Sequence, residues 1–152
     1  MIPAPRQANI AALRGNPIAA AVMKASVLKT VHQLKADAEL QALFGDAAEA
    51  LIQHSGQLLF AAAHAAELNK LPADMPELRI MRGMAHALGQ LAEDRSTLEQ
   101  HRGSIQSGLA AIERVLPKLT AWGLGLGLIE CERRVALDGF GTQDIGEMLG
   151  AA

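Results

Sequence analysis

Residues 51–66 have the sequence LIQHSGQLLFAAAHAA, and this stretch decides the fold class. Its apolar residues recur at intervals of three, four or seven positions, which is the spacing of one face of an α-helix. The residues that follow this spacing are Leu51, Leu58, Ala62 and Ala65. Asp46 is a capping residue type, and it precedes the stretch. The pattern therefore predicts a long helix over 46–71, with His54 in its apolar stripe.

Helical patterns also lie on both sides of this stretch. Asn16-Pro17 is a helix start, and the apolar residues that follow predict a helix as far as Leu34. These residues are Ile18, Val22, Ala25, Leu28, Val31 and Leu34. Asp37 opens a shorter segment, and further helices are predicted over 75–91, over 98–116 after a capping box at 96–99, and over 118–137. The sequence thus predicts an all-α domain over 16–137, with a flexible lead-in over 1–15 and a tail over 138–152.

Composition limits what this domain does. Half of the 152 residues are hydrophobic but only 3% are aromatic, and there is no Tyr. Ala-rich helices of this kind either pack closely or pack around a body that is not a side chain. A net charge of −2 without a polybasic stripe argues against nucleic acid. No apolar run reaches the roughly 18 residues of a membrane span, so we expect a cytoplasmic protein with no membrane partner.

Individual residue types restrict the kinds of site and of helix packing that this domain can have. The one cysteine, Cys131, excludes an intramolecular disulfide and a cysteine-rich metal site. Glycines at 123, 125 and 127 interrupt the last predicted helix, each at a cost of about 1 kcal/mol relative to Ala. Close approach of another backbone would explain them. His64 is interpreted as a residue on the helix surface or at the rim of a pocket.

Two of the five histidines are candidates for a binding site. His54 and His86 each lie in the apolar stripe predicted for a separate helix. Two imidazoles that face one apolar cavity can hold a haem iron. The competing interpretation is that both are ordinary, partly buried histidines that bond to backbone carbonyls.

At this point the sequence resembles the single-domain bacterial haemoglobins, the globin type that also forms the haem domain of flavohaemoglobins. Residues 38–44, AELQALF, are similar to the family's segment ending in Leu-Phe, in which the Phe packs against haem; Phe44 matches it. The family's distal residue comes ten positions later, which is His54, and its proximal iron ligand 32 positions after that, which is His86. Leu58 matches the distal apolar residue, one turn beyond His54.

The resemblance implies a globin fold of six to eight helices that sandwich haem b, iron protoporphyrin IX. His86 would be the proximal iron ligand. His54 would either bond to the bound gas or coordinate the iron itself, giving a six-coordinate bis-His haem. Arg82, one turn before His86, would reach a haem propionate, and Met81 would line the same pocket.

A globin of this kind binds a diatomic gas, O₂, NO or CO. Catalytic turnover such as NO dioxygenation would need an external reductase, and no catalytic residue is assigned. The chain would be a monomer or a homodimer. A haem-free alternative remains: a globin-like or helical-bundle module for regulation or interaction, in which both histidines are incidental. A haem spectrum discriminates the two.

Overall fold

The computed structural model describes residues 17–44, 48–93 and 97–137, together with residues 145, 148 and 149. These ranges contain five α-helices, α1 (Pro17–Phe44), α2 (Ala48–Leu68), α3 (Pro76–Ala92), α4 (Leu98–Val115) and α5 (Ala121–Leu137). A 3₁₀ turn, Leu116–Lys118, joins α4 to α5. No strand occurs in the described ranges, which confirms the predicted all-α class.

Two local predictions differ from the structure. Asp37 does not open a new helix but lies inside the continuous α1, where its carboxylate accepts a hydrogen bond of 3.1 Å from Gln33 one turn earlier. The cap of α4 is shifted by one residue, because the Thr97 backbone N–H donates to Gln100 Oε1 at 2.8 Å. Capping signals therefore located the start of α4 to within a residue but divided α1 where no break exists.

The core is centred on α2, which contacts all four other helices. Its residues Leu58, Leu59 and Phe60 are fully buried. The helices form two close pairs, α3 with α4 and α2 with α5, while α1 packs across α2, α4 and α5. Each Å² of apolar surface that is removed from water contributes about 25 cal/mol to the stability of this arrangement. This burial matters because most of the stability of helices in proteins comes from tertiary packing.

Glycine allows the close approach of α2 and α5. A Cβ atom on Gly127 would lie 2.8 Å from the Ala61 carbonyl oxygen and 2.9 Å from Ala61 Cα, both backbone atoms. On Gly123 it would lie 3.3 Å from Ala65 Cβ. The close backbone approach predicted from the glycine series is confirmed, and it explains helix-weakening residues at these positions.

Helix α1 is apolar on two faces, contrary to the single stripe predicted for it. The face that packs on the core has buried residues at Val27, Val31, Ala38 and Ala42. Ile18 and Val22, expected in the buried stripe, are instead 79% and 65% exposed. The prediction was wrong here because two apolar series run along the same helix, and periodicity alone does not tell which one packs.

The predicted tail includes core residues. Ile145 and Leu149 are each 1% exposed, and the Leu149 carbonyl accepts a hydrogen bond from Arg82 Nη1 on α3. These residues were expected to be part of a flexible tail, and their burial corrects that expectation. The remainder of the tail and the lead-in over 1–15 lie outside the described residues.

Candidate functional site

The predicted proximal ligand does not face an apolar cavity. His86 on α3 has an exposed side chain. The buried face of α3 is formed by other residues, Leu78, Met81, Met84, Ala85, Ala87, Leu88 and Leu91. The prediction that His86 belongs to the apolar stripe is therefore wrong, because that stripe lies on the other side of the helix.

The other predicted pocket residues belong to the protein's own core. Leu58 on α2 and Met81 on α3 are both 0% exposed, and they belong to one cluster of buried apolar side chains. Phe44 is the last residue of α1, and its side chain lies outside the described part of the structure. Leu58 and Met81 thus pack within the protein's own core.

Arg82 has partners that differ from the predicted propionate. Its side chain is half-buried, and Nη1 donates to the Ala73 carbonyl at 3.2 Å and to the Leu149 carbonyl at 2.5 Å. These two carbonyls belong to the turn before α3 and to the C-terminal segment. The guanidinium therefore joins three parts of the chain.

His54 is half-buried near the middle of α2, as its stripe predicted. Its Nδ1 atom is buried and has no hydrogen-bond partner among the described residues, and the same holds for the Oγ atom of the neighbouring Ser55. Buried polar atoms usually have partners, since leaving one unpaired costs about 1–3 kcal/mol. His54 is the one predicted ligand that lies partly inside the protein.

An apolar groove of about 680 Å³ lies between α1 and α5. Gln57 of α2 also reaches it. Its apolar lining consists of Ala19, Val22, Met23, Val27, Leu34, Gly125, Leu128 and Ile129. Ligand pockets in proteins are typically about 300–1,000 Å³ and mainly apolar, with a few polar groups. The groove has these properties, and it could not be predicted from local pattern because residues of three helices, distant in sequence, line it.

Only a few polar residues line the groove. They are Ser26, Thr30, Gln57, Cys131 and Glu132. The Thr30 hydroxyl donates to the Ser26 carbonyl at 3.1 Å. Burial raises the pKa of Cys131 to about 11, so its thiol stays protonated at neutral pH and does not act as a nucleophile. The lining includes one carboxylate and no basic side chain.

A polar cluster lies between α2 and α5. Glu130 accepts hydrogen bonds from Arg133 and Arg134, and these hold the pKa of its carboxyl at about 2. The Arg134 guanidinium lies 5.4 Å from the centre of the Phe60 ring, which stacks on His64 at 6.3 Å. Burial lowers the pKa of His64. The spacing of Glu130 and Arg134, four residues apart, is a sequence signal for this cluster.

The described side chains, as they are arranged, do not fit a haem held by two histidines. Such a haem needs both imidazoles at one apolar cavity. His86 is exposed, and the groove with the volume for a large ligand is lined by no histidine. In the described ranges no group of three or more His, Cys, Asp or Glu residues is placed to hold a metal ion. Iron ligation by His54 and His86 stays a prediction of the resemblance.

Comparison with models of known protein families, with curated proteins and with solved structures finds no match to this chain. The likeness to bacterial haemoglobins therefore stays a prediction as well. Among the described helices, none combines the length and the apolar character needed to cross a membrane.

Proposed function

We propose that this protein is a haem-free helical binding module that holds a small apolar ligand in the groove between α1 and α5. The observation that carries the proposal is the groove itself. Its volume is about 680 Å³, its lining is mainly apolar, and it lies where three helices meet. Its volume lies within the range of ligand pockets. A ligand there would also be a body other than a side chain, around which Ala-rich helices with few aromatic residues can pack.

The lining also indicates the kind of polar group that the ligand has. Ser26, Thr30 and Gln57 offer neutral hydrogen-bonding groups, and Glu132 adds a negative charge. A ligand anion would lie close to this carboxylate, which is unfavourable in a mainly apolar site. The ligand class is therefore an apolar body with a neutral or positively charged polar group.

The globin fold, the haem and the gas ligand are the competing proposal from the resemblance. In its favour is the buried, unpartnered Nδ1 atom of His54, an imidazole already inside the protein. Against it is the exposed side chain of His86, because a proximal ligand must reach the iron from within the pocket. The haem-free module needs no movement of α3, and it is the function that the arrangement supports better.

A pair of matched variants tests the groove with Nile red, a neutral apolar dye whose fluorescence rises in apolar surroundings. Ser26 and Ser107 are both exposed helical serines, but only Ser26 lines the groove. We expect Ser26→Phe to fill the groove and weaken dye binding at least tenfold, while Ser107→Phe binds like the wild type. Equal binding by all three proteins would contradict the proposal.

The charge preference is tested by displacement of the dye with two twelve-carbon chains of opposite charge. We expect dodecylammonium to displace the dye at concentrations at least tenfold lower than dodecanoate. Glu132→Gln should remove most of this difference. A preference for dodecanoate in the wild type would contradict the assigned ligand class.

Absorption spectra with added haemin separate this function from the globin proposal. We expect the wild type, His86→Ala and His54→Ala to give the same haemin spectrum, because the two histidines do not face one cavity. A Soret band that shifts in both variants would favour the globin proposal instead.

A further inference from the structure

The outward side of α1 is an exposed face with large apolar side chains at both ends. Eight of its side chains lie within about 40° of one direction around the helix axis, at 100° per residue, and all eight are exposed. They are Ile18, Val22, Ala25, Lys29, His32, Ala36, Leu40 and Leu43. The large apolar members at its two ends are between 56% and 79% exposed. We call this set the outer face of α1.

The spacing of the outer face is that of a coiled-coil seam. Its members follow one another at intervals of three or four residues, which keeps them on the side that would face a partner helix. A helix that packs on the core with one face normally has polar residues on the opposite, solvent side. Helix α1 has large apolar residues there instead. Exposed apolar patches of this kind mark interaction surfaces.

The order of residues on the outer face is nearly symmetric about its midpoint, between Thr30 and Val31. Ile18 and Leu43 are equally far from this midpoint, and so are Ala25 and Ala36. The innermost pair is Lys29 with His32, and Val22 pairs with Leu40 to within one residue. A face with this order is complementary to itself when one copy is turned by 180°.

From this symmetry we propose that the occupant of the outer face is a second copy of the chain, with the two α1 helices antiparallel about a two-fold axis. The two-fold axis would pass near the midpoint, so each patch meets the same patch of the other protomer, as in an isologous dimer. Ala25 meets Ala36 of the partner subunit, and these small side chains let the helix backbones approach. Ile18 meets Leu43 of the partner subunit at each end of the interface.

Polar residues at the centre favour the antiparallel direction. An antiparallel pair brings the Lys29 ammonium to His32 of the partner subunit, where a ring nitrogen can accept a hydrogen bond from it. A parallel pair would bring each ammonium against its own copy, and like charges at a seam are destabilising. One polar layer in an apolar seam also specifies register, at some cost in stability.

The size of the outer face predicts a weak dimer. From Ile18 to Leu43 the strip is about 38 Å long at 1.5 Å per residue, and about 10 Å wide. This corresponds to a footprint of about 800 Å² over both protomers, below the 1,200–2,000 Å² or so of stable interfaces. We therefore expect a weak dimer that dissociates as the protein is diluted through the micromolar range.

Sedimentation velocity of the full chain from about 1 to 200 μM tests the dimer. The matched variants are Ala36→Glu on the outer face and Ala110→Glu on α4, both at exposed alanines. We expect the wild type and Ala110→Glu to shift from monomer to dimer over this range, and Ala36→Glu to stay monomeric. The proposal is overturned if the wild type is monomeric at every concentration, whatever else covers the outer face. It is also overturned if Ala36→Glu leaves the dimer intact.

Cysteine cross-linking tests the direction of the pair. We expect oxidation of a mixture of Ala25→Cys and Ala36→Cys chains to give covalent heterodimers. Each variant alone should not cross-link, because its two copies lie about 16 Å apart along the axis. The wild type, whose single Cys131 is buried, is the blank. Cross-linking of either variant alone as efficiently as the mixture overturns the antiparallel arrangement.

Discussion

At the residue scale, Glu130 lies at the centre of a small group of charged side chains. Its side chain is 15% exposed, and two guanidinium groups, of Arg133 and Arg134, hold its pKa at about 2 instead of 4.5. Because the folded pKa is depressed, this carboxylate stabilises the folded state above about pH 4.5, and the stabilisation is lost as the pH falls toward 2. The cluster joins the polar residues of α5 to Phe60 on α2.

We expect Glu130→Gln to lower the free energy of unfolding by about 1 kcal/mol at pH 7, since both arginines are about one-third exposed and water screens the pair. The difference from the wild type should shrink as the pH falls below 4.5, as measured by urea unfolding at several pH values. Glu99→Gln is the control. Glu99 pairs with Arg102 but is 78% exposed, so its loss should change stability by less than about 0.5 kcal/mol. A pH-independent effect of Glu130→Gln would contradict the charge explanation.

At the element scale, the separation of α2 and α5 depends on Gly127. A methyl group there would lie 2.8 Å from the Ala61 carbonyl oxygen, so one helix would have to move. We expect Gly127→Ala to lower the free energy of unfolding by about 1–3 kcal/mol, because overpacking outweighs the gain in helix propensity. Thermal or urea unfolding measures this.

Gly103 on α4 is the matched control, since a Cβ atom there has nothing within 4 Å. Gly103→Ala should stabilise the protein by about 0.5–1 kcal/mol through helix propensity alone. If both substitutions stabilised, the close contact of α2 and α5 would not be the reason for Gly127.

At the scale of the whole molecule, Arg82 joins segments far apart in the sequence. Its guanidinium bonds to carbonyls in the turn before α3 and in the C-terminal segment, where Leu149 is buried. Hydrogen bonds from charged groups contribute about 1.5–3 kcal/mol. Arg82→Met should therefore lower stability by about 2 kcal/mol and speed exchange of the Leu149 amide proton, as measured by hydrogen exchange. Arg79→Met, at an exposed site on the same helix, should do neither; equal effects would contradict the role of Arg82.

Much of the fold could be predicted from local pattern. The helix predicted from residues 51–66 is α2, Ala48–Leu68, and the glycines of α5 indicated its close approach to another backbone. The candidate site could not be predicted in the same way. His86 lies on the exposed side of α3, and a shift of one or two residues around a helix decides whether a side chain is buried. Spacing along the chain does not contain that information.

Hydrophobic periodicity, capping residues and prolines specify that this chain is helical and roughly where each helix lies, because these signals act within a few residues. Tertiary packing decides which apolar series of α1 enters the core and which remains outside. It also decides that Ile145 and Leu149 join the core and that a groove remains between α1 and α5. These outcomes depend on contacts between residues that are distant in sequence. The energies of such contacts cannot be inferred from the sequence of any single helix.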